Sequence, residues 1–212
     1  MNILQKIQVV LESEPDDSQL DKFIADVRDS LAASSKQFIS FNLLAAAAVF
    51  AYHLVVYEGV TIASFEGLPL AGSLLVQKVF LIVPAALLAA AAGIGYLRRC
   101  QREVYDYLSI SRYRVLGHSG LHELRIPPDY ILGLFYLKNE GGVVGAMLST
   151  VVMFLVAGVF TILPVLYIVR ASALTLSRYG AEDTIALVAS GVAILLACVS
   201  LLIAALASRI RA

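Results

Sequence analysis

The sequence predicts an all-α integral membrane protein. The predicted parts are four transmembrane helices, an N-terminal amphipathic helical hairpin, and a cytosolic middle loop carrying an interfacial helix. Three observations predict it. Hydrophobic residues make up 59% of the chain and charged residues only 15%, against about a quarter charged in a soluble domain. Mean hydropathy is +0.82. Four apolar segments each reach the roughly 20 residues that cross the hydrocarbon core as a helix. In lipid every backbone polar group must be satisfied within its own segment, so segments of this length are helices.

The N-terminal 37 residues are polar, with two stripes at helical spacing. Ile3, Leu4, Ile7, Val10 and Leu11 form one, and Leu20, Phe23, Ile24, Val27 and Leu31 form the other. "SEPDDS" separates them, and Ser18 with Asp21 is a capping signal for the second. Acids outnumber bases here, so the hairpin is a poor ligand for anionic lipid. It is expected to pack on another cytosolic element, either the basic middle loop of the same chain or a partner protein. There is no early apolar region of the signal-peptide type, which makes the first span an uncleaved signal anchor.

The spans are read at residues 38–57, 74–97, 143–169 and 184–207. Asn42, His53, Gln77 and Lys78 are their strongly polar residues and lie near span ends; the centres hold no Asp, Glu or Arg. Ion-coupled carriers and proton relays usually need an ionisable group at depth. Pro84 and Pro164 are expected to kink the second and third spans. Small residues recur at three- or four-residue steps. Ala186, Ala189, Ala193, Ala197, Ser200 and Ala204 do so in the fourth span, and Ala85, Ala89, Ala92 and Gly93 in the second. Such faces let helices approach closely. Ala189, Ala193 and Ala197 are taken as helix-packing residues, serving a bundle within the chain, an oligomer, or a larger complex.

The loops differ in charge. Thirteen Lys and Arg fall before the first span, between the second and third, and after the fourth. The outer loops, 58–73 and 170–183, hold only Arg170 and Arg178, with Lys78 inside the second span near that side. The positive-inside rule therefore puts both termini, the 208–212 tail and the 98–142 loop in the cytoplasm. On the outer side, Glu66 is a candidate partner for Lys78. Neither outer loop can hold a folded domain. Cys100 is juxtamembrane and Cys198 lies within the fourth span, at different depths, so no disulfide is expected between them.

The middle loop carries the chemistry, and at its start Leu97, Val104, Leu108 and Val115 keep a helical period that would continue the second span into the cytoplasm. Arg98, Arg99 and Arg102 stand where phosphate headgroups lie, serving topology, snorkelling or partner contact. His118 and His122 are four apart, but Gly117 and Gly120 disfavour the helix that would align them. Glu123 follows the second His, unlike the glutamate of a zinc hydrolase, and Asp129 is an ordinary loop acid. A hydrated turn with two surface histidines is expected, with no metal. After Pro127–Pro128 comes a run too short to span, carrying Tyr130, Phe135 and Tyr136. These residues favour the headgroup boundary, which predicts an interfacial helix or a docking surface for a partner.

These features predict a non-catalytic membrane subunit or scaffold that binds a partner through its cytosolic elements. An oligomeric channel, pore or small-solute transporter is the alternative. A lipid-modifying enzyme using the basic loop with His118, His122 or Glu123 is a third reading. No cofactor is expected, and the zero net charge gives no reason for nucleic acid. The expected partners are the bilayer and either a second copy or a membrane complex. The expected location is a plasma or bacterial inner membrane.

Overall fold

The computed structural model describes residues 16–56, 74–113, 142–180 and 182–209, with Gln5, Gln8 and Val9. These residues are helical apart from short turns, and no strand occurs among them. The helices are α1 (Asp17–Val56), α2 (Leu74–Val79), α3 (Ile82–Tyr113), α4 (Gly142–Ala157), α5 (Leu163–Tyr179) and α6 (Thr184–Arg209). A π-helical turn, Gly158–Ile162, joins α4 to α5. Three segments, beginning at Asp17, Leu74 and Thr184, are long and apolar enough to cross a membrane. The first predicted amphipathic helix, the 58–73 loop, His118, His122, Glu123, Asp129, and the run with Tyr130, Phe135 and Tyr136 lie outside the described residues.

α1 is one helix of 40 residues, joining the second predicted amphipathic stripe to the first predicted span. It opens two residues earlier than Ser18 predicts. The Asp16 carbonyl accepts the Gln19 and Leu20 amides at 2.9 and 3.1 Å, and Ser18 Oγ donates to the Asp16 carboxylate at 2.5 Å. Its buried residues are Leu20, Ile24, Leu31, Ser34, Ser35, Asn42, Ala45 and Tyr52. Steps of three, four and seven hold these on one slowly drifting stripe. Phe23, grouped with that stripe by spacing, is 51% exposed.

Pro84 decides where the second predicted span breaks. Proline has no amide hydrogen to give the carbonyl four residues back. The Phe80 carbonyl instead accepts the Val83 amide at 3.1 Å, and a turn at residues 80–81 separates α2 from α3. α3 then runs to Tyr113, so the second predicted span continues as helix through residues 98–113, along the period of Leu97, Val104 and Leu108. Pro164 acts likewise in the third predicted span. The chain there passes from α4 through the π-helical turn, and Pro164 enters α5 in its first turn, where a missing amide hydrogen costs little. α5 continues to Tyr179, so residues 170–179 are helix as well. Gly180 ends it at φ +84°, with its amide on the Leu176 carbonyl at 2.9 Å. A β-carbon disfavours that left-handed backbone.

The chain divides into two compact units. One comprises Met1–Phe38, Ile94–Ser149 and Ala204–Ala212; the other comprises Ile39–Gly93 and Thr150–Ile203. In the first, Leu20, Ile24 and Leu31 of α1 pack with Tyr105 and Leu108 of α3. In the second, Tyr52, Leu81, Ala85, Leu88, Val165, Ile168, Ala171, Ala193 and Ala197 form the core. Small residues dominate the α6 side of that core. Ala186, Ala193 and Ala197 are 0% exposed and Ala189 2%. From Leu81 in the preceding turn, the buried line runs through Pro84, Ala85, Leu88 and Ala91 of α3; Ala89, Ala92 and Gly93, picked by spacing, are only half-buried.

Candidate functional site

In the first unit, charge and hydrogen bonding fasten α1 to α3. Arg112 pairs with Asp17 at 2.9 Å and with Asp21 at 3.1 Å. The Tyr113 hydroxyl also donates to Asp21, at 3.2 Å. The hydrogen bond that Arg112 donates to Asp21 leads in holding the guanidinium above its ordinary pKa, opposed by desolvation and reinforced by Asp17. Further along, one amide bridges two hydroxyls. Gln101 Nε2 donates to Ser30 at 2.7 Å, and its Oε1 accepts from Ser34 at 2.6 Å. Phe38 lies against Gly95, where an added β-carbon would stand 2.9 Å from the ring.

The three arginines predicted to meet headgroups or a partner have contacts inside this unit. Arg98 lies over the Phe38 ring, 5.5 Å from its centroid. Arg99 and Arg102 form ion pairs one turn along α3 with Glu103 and Asp106, each at 3.4 Å. The positive charge of Arg99 and Arg102 is thus balanced within its own helix. The acidic start of α1 finds a base in Arg112, 91 residues away from Asp21. The exposed face of α1 still presents Asp16, Lys22, Phe23, Asp26 and Asp29.

The second unit holds a polar and aromatic cluster at helix ends. Lys78, in α2, forms an ion pair with Asp183, just before α6. The Lys78 ammonium also lies 5.0 Å from the centre of the Tyr179 ring, and Tyr179 donates to Gln77 Oε1 at 2.9 Å. Asp183 serves twice, because its Oδ1 accepts the Ala186 amide at 3.0 Å and so caps α6. The Lys78 hydrogen bond, then the Ala186 amide, hold its carboxyl below the ordinary aspartate pKa. Arg178 donates to the Val56 carbonyl at 3.2 Å.

Tyr52 organises the neighbouring aromatics. Its ring stacks on Phe80 with centroids 6.4 Å apart and meets Tyr167 edge-on at 6.3 Å. Thr175 Oγ1 spends its one proton on the Ala171 carbonyl at 2.8 Å, so Tyr52 is the donor in the 2.9 Å bond between their hydroxyls. His53 Nδ1 lies 3.3 Å from the Tyr167 hydroxyl.

Spacing found the α6 small-residue face but missed this cluster. Lys78 and Asp183 are 105 residues apart. Glu66, the acid nearer in sequence, lies outside the described residues. The usable signal was an aspartate directly before an apolar helix, the common place for a cap. Among the described residues no group of His, Cys, Asp and Glu is arranged to hold a metal ion. Cys100 and Cys198 are free thiols. Comparison of the chain with family models, curated proteins and solved structures finds no match.

Proposed function

We propose that this chain is a non-catalytic, multi-pass membrane protein that serves as a subunit or scaffold of a membrane complex. In this reading the chain crosses the bilayer four times, with both termini and residues 98–142 in the cytoplasm, and it engages a partner there. One observation carries it: the polar end of α1 packs on the end of α3 around its own core of Leu20, Ile24, Leu31, Tyr105 and Leu108. Helices that only anchored a protein would have no use for such a unit. Apolar burial in water stabilises it by about 1.5–3 kcal/mol per large side chain. The apolar unit is held by close contact of small residues instead, since lipid gives helices no hydrophobic reason to associate.

The exposed face of α1, with Phe23 set among Lys22, Asp26 and Asp29, is the surface on which a partner would dock. An isolated aromatic ringed by charge is a common interface anchor. The test is the mass of the native complex extracted in mild detergent from the source membrane. A stoichiometric companion that is lost on Phe23→Glu, with the thermal unfolding of the chain unchanged, is the expected result. A complex containing this chain alone that carries solute flux in liposomes would establish the channel instead.

A further inference from the structure

A groove of about 270 Å³ is lined by Val79, Ile82, Thr184, Ile185, Val188 and Ala189, two of which directly follow the paired Lys78 and Asp183 in the chain. Its wall is wholly apolar. Water, at roughly 30 Å³ a molecule, would fit in number but needs two to four polar partners that this wall does not offer. Ala189, 2% exposed, forms its floor, while Ile185 and Val188 are 47% and 58% exposed at its rim. The groove therefore opens on the outward side of α6, one of the helices apolar enough to cross a membrane. Hydrocarbon is what such a surface meets.

The charges beside it narrow the occupant. Val79 and Thr184 of the groove adjoin Lys78 and Asp183 in sequence. The side chains of Lys78 and Asp183 are 11% and 22% exposed, so both still reach the surface. An ammonium has three donors and a carboxylate about four acceptor sites, so their mutual bond leaves capacity on each. A purely anionic headgroup would suit Lys78 and be repelled by Asp183. A headgroup carrying both signs satisfies both. We propose that this groove seats one acyl chain of a zwitterionic, amine-bearing phospholipid, its phosphate against Lys78 and its ammonium against Asp183. The site rests on membrane insertion and is independent of the partner reading above.

The probe is a vesicle of equal parts phosphatidylethanolamine and phosphatidylglycerol. The full chain is reconstituted, extracted in mild detergent and weighed by native mass spectrometry. One phosphatidylethanolamine held per chain, favoured over phosphatidylglycerol by about tenfold, is expected. Val188→Trp fills the groove and should abolish the retained lipid while leaving thermal unfolding unchanged; Ile185→Trp at the rim repeats the test should the first variant misfold. Asp183→Asn keeps the cap and should erase the headgroup preference while an acyl chain is still held. Retention no greater than in the filled variants, equal retention of both lipids, or a disulfide-linked second copy through Ile185→Cys would each overturn the proposal. A companion protein is sought in a separate sample, the complex extracted from the source membrane, so failure of the subunit reading would be seen separately.

Discussion

Gly93 and Gly95 lie two residues apart in α3 and meet different surroundings. A β-carbon on Gly95 would approach Phe38 to 2.9 Å, whereas nothing lies within 4 Å of one on Gly93. Gly95→Ala should therefore displace the Phe38 ring and the Arg98 guanidinium above it, costing about 1–3 kcal/mol by overpacking. Gly93→Ala should be neutral or stabilise by up to about 1 kcal/mol through helix propensity. Thermal unfolding in detergent, read by circular dichroism, separates the two. Asp183 makes the other prediction at this scale. Its carboxyl titrates lower in the folded chain than in the unfolded one, first because Lys78 donates to it and then because Ala186 does. Stability from such a group is fully present above the unfolded value of about 3.9 and is lost as pH falls through the lower folded value. In wild type this contribution should be flat from pH 8 to 5 and decline only below about pH 4. In Asp183→Asn that acid-side loss should be absent, and unfolding curves at stepped pH measure the difference. Sequence spacing could read neither contact, because Gly95 and Lys78 meet residues on other helices.

Among the elements, the small-residue face of α6 and the helical period that carries α3 past Leu97 were legible, and the other helix ends were not. Ala186, Ala189, Ala193 and Ala197 share a face because their three- and four-residue steps match the helical repeat, and all four are buried. In α3 the same reasoning chose Ala89, Ala92 and Gly93 and missed Leu88 and Ala91, because residue size alone does not say which side of an alanine-rich helix is covered. Hydropathy locates where apolar residues stop, but a helix continues wherever its backbone bonds are kept. α1 and α3 therefore run on through charged residues, and prolines set the breaks at residues 80–81 and 158–162. The α6 face yields a prediction. Ala193→Leu with Ala197→Leu leaves the segment apolar enough to insert, yet adds bulk at two positions that are 0% exposed against Tyr52, Leu81, Ile168 and Ala171. Each should cost about 1–3 kcal/mol. Leu195→Phe with Leu202→Phe changes residues that are 63% and 64% exposed and should shift the melting temperature far less. Membrane fractions should contain all the variants, and only the alanine pair should lose resistance to unfolding.

For the whole molecule, the number of crossings turns on residues 142–179. The sequence reads a span there, and the structure has two helices of 16 and 17 residues joined by the π-helical turn. Each helix alone falls short of the roughly 20 residues a crossing needs, but together they exceed it. A π turn keeps most backbone bonds within the chain, and Pro164 has no hydrogen to satisfy, so the interruption does not forbid a crossing. The charge asymmetry fixes the expected direction, with Ser18 inside. Four crossings then put Ser177 outside and the C-terminus inside. Three crossings, omitting this segment, reverse both. Ser18 and Ser177 are exposed, so a cysteine at either can report without disturbing a core. Cys100 and Cys198 are first replaced by Ala, and single cysteines are placed at Ser18, at Ser177 and after Ala212. Intact cells are treated with a membrane-impermeant maleimide, and lysed cells serve as the reference. Labelling at Ser177 alone before lysis is expected. Labelling at the C-terminus with Ser177 protected would reduce the protein to three crossings. It would also turn α4 and α5 into a hairpin lying on the cytoplasmic face. Labelling at Ser18 would overturn the orientation itself, and with it the placement of the α1–α3 unit beside cytoplasmic partners.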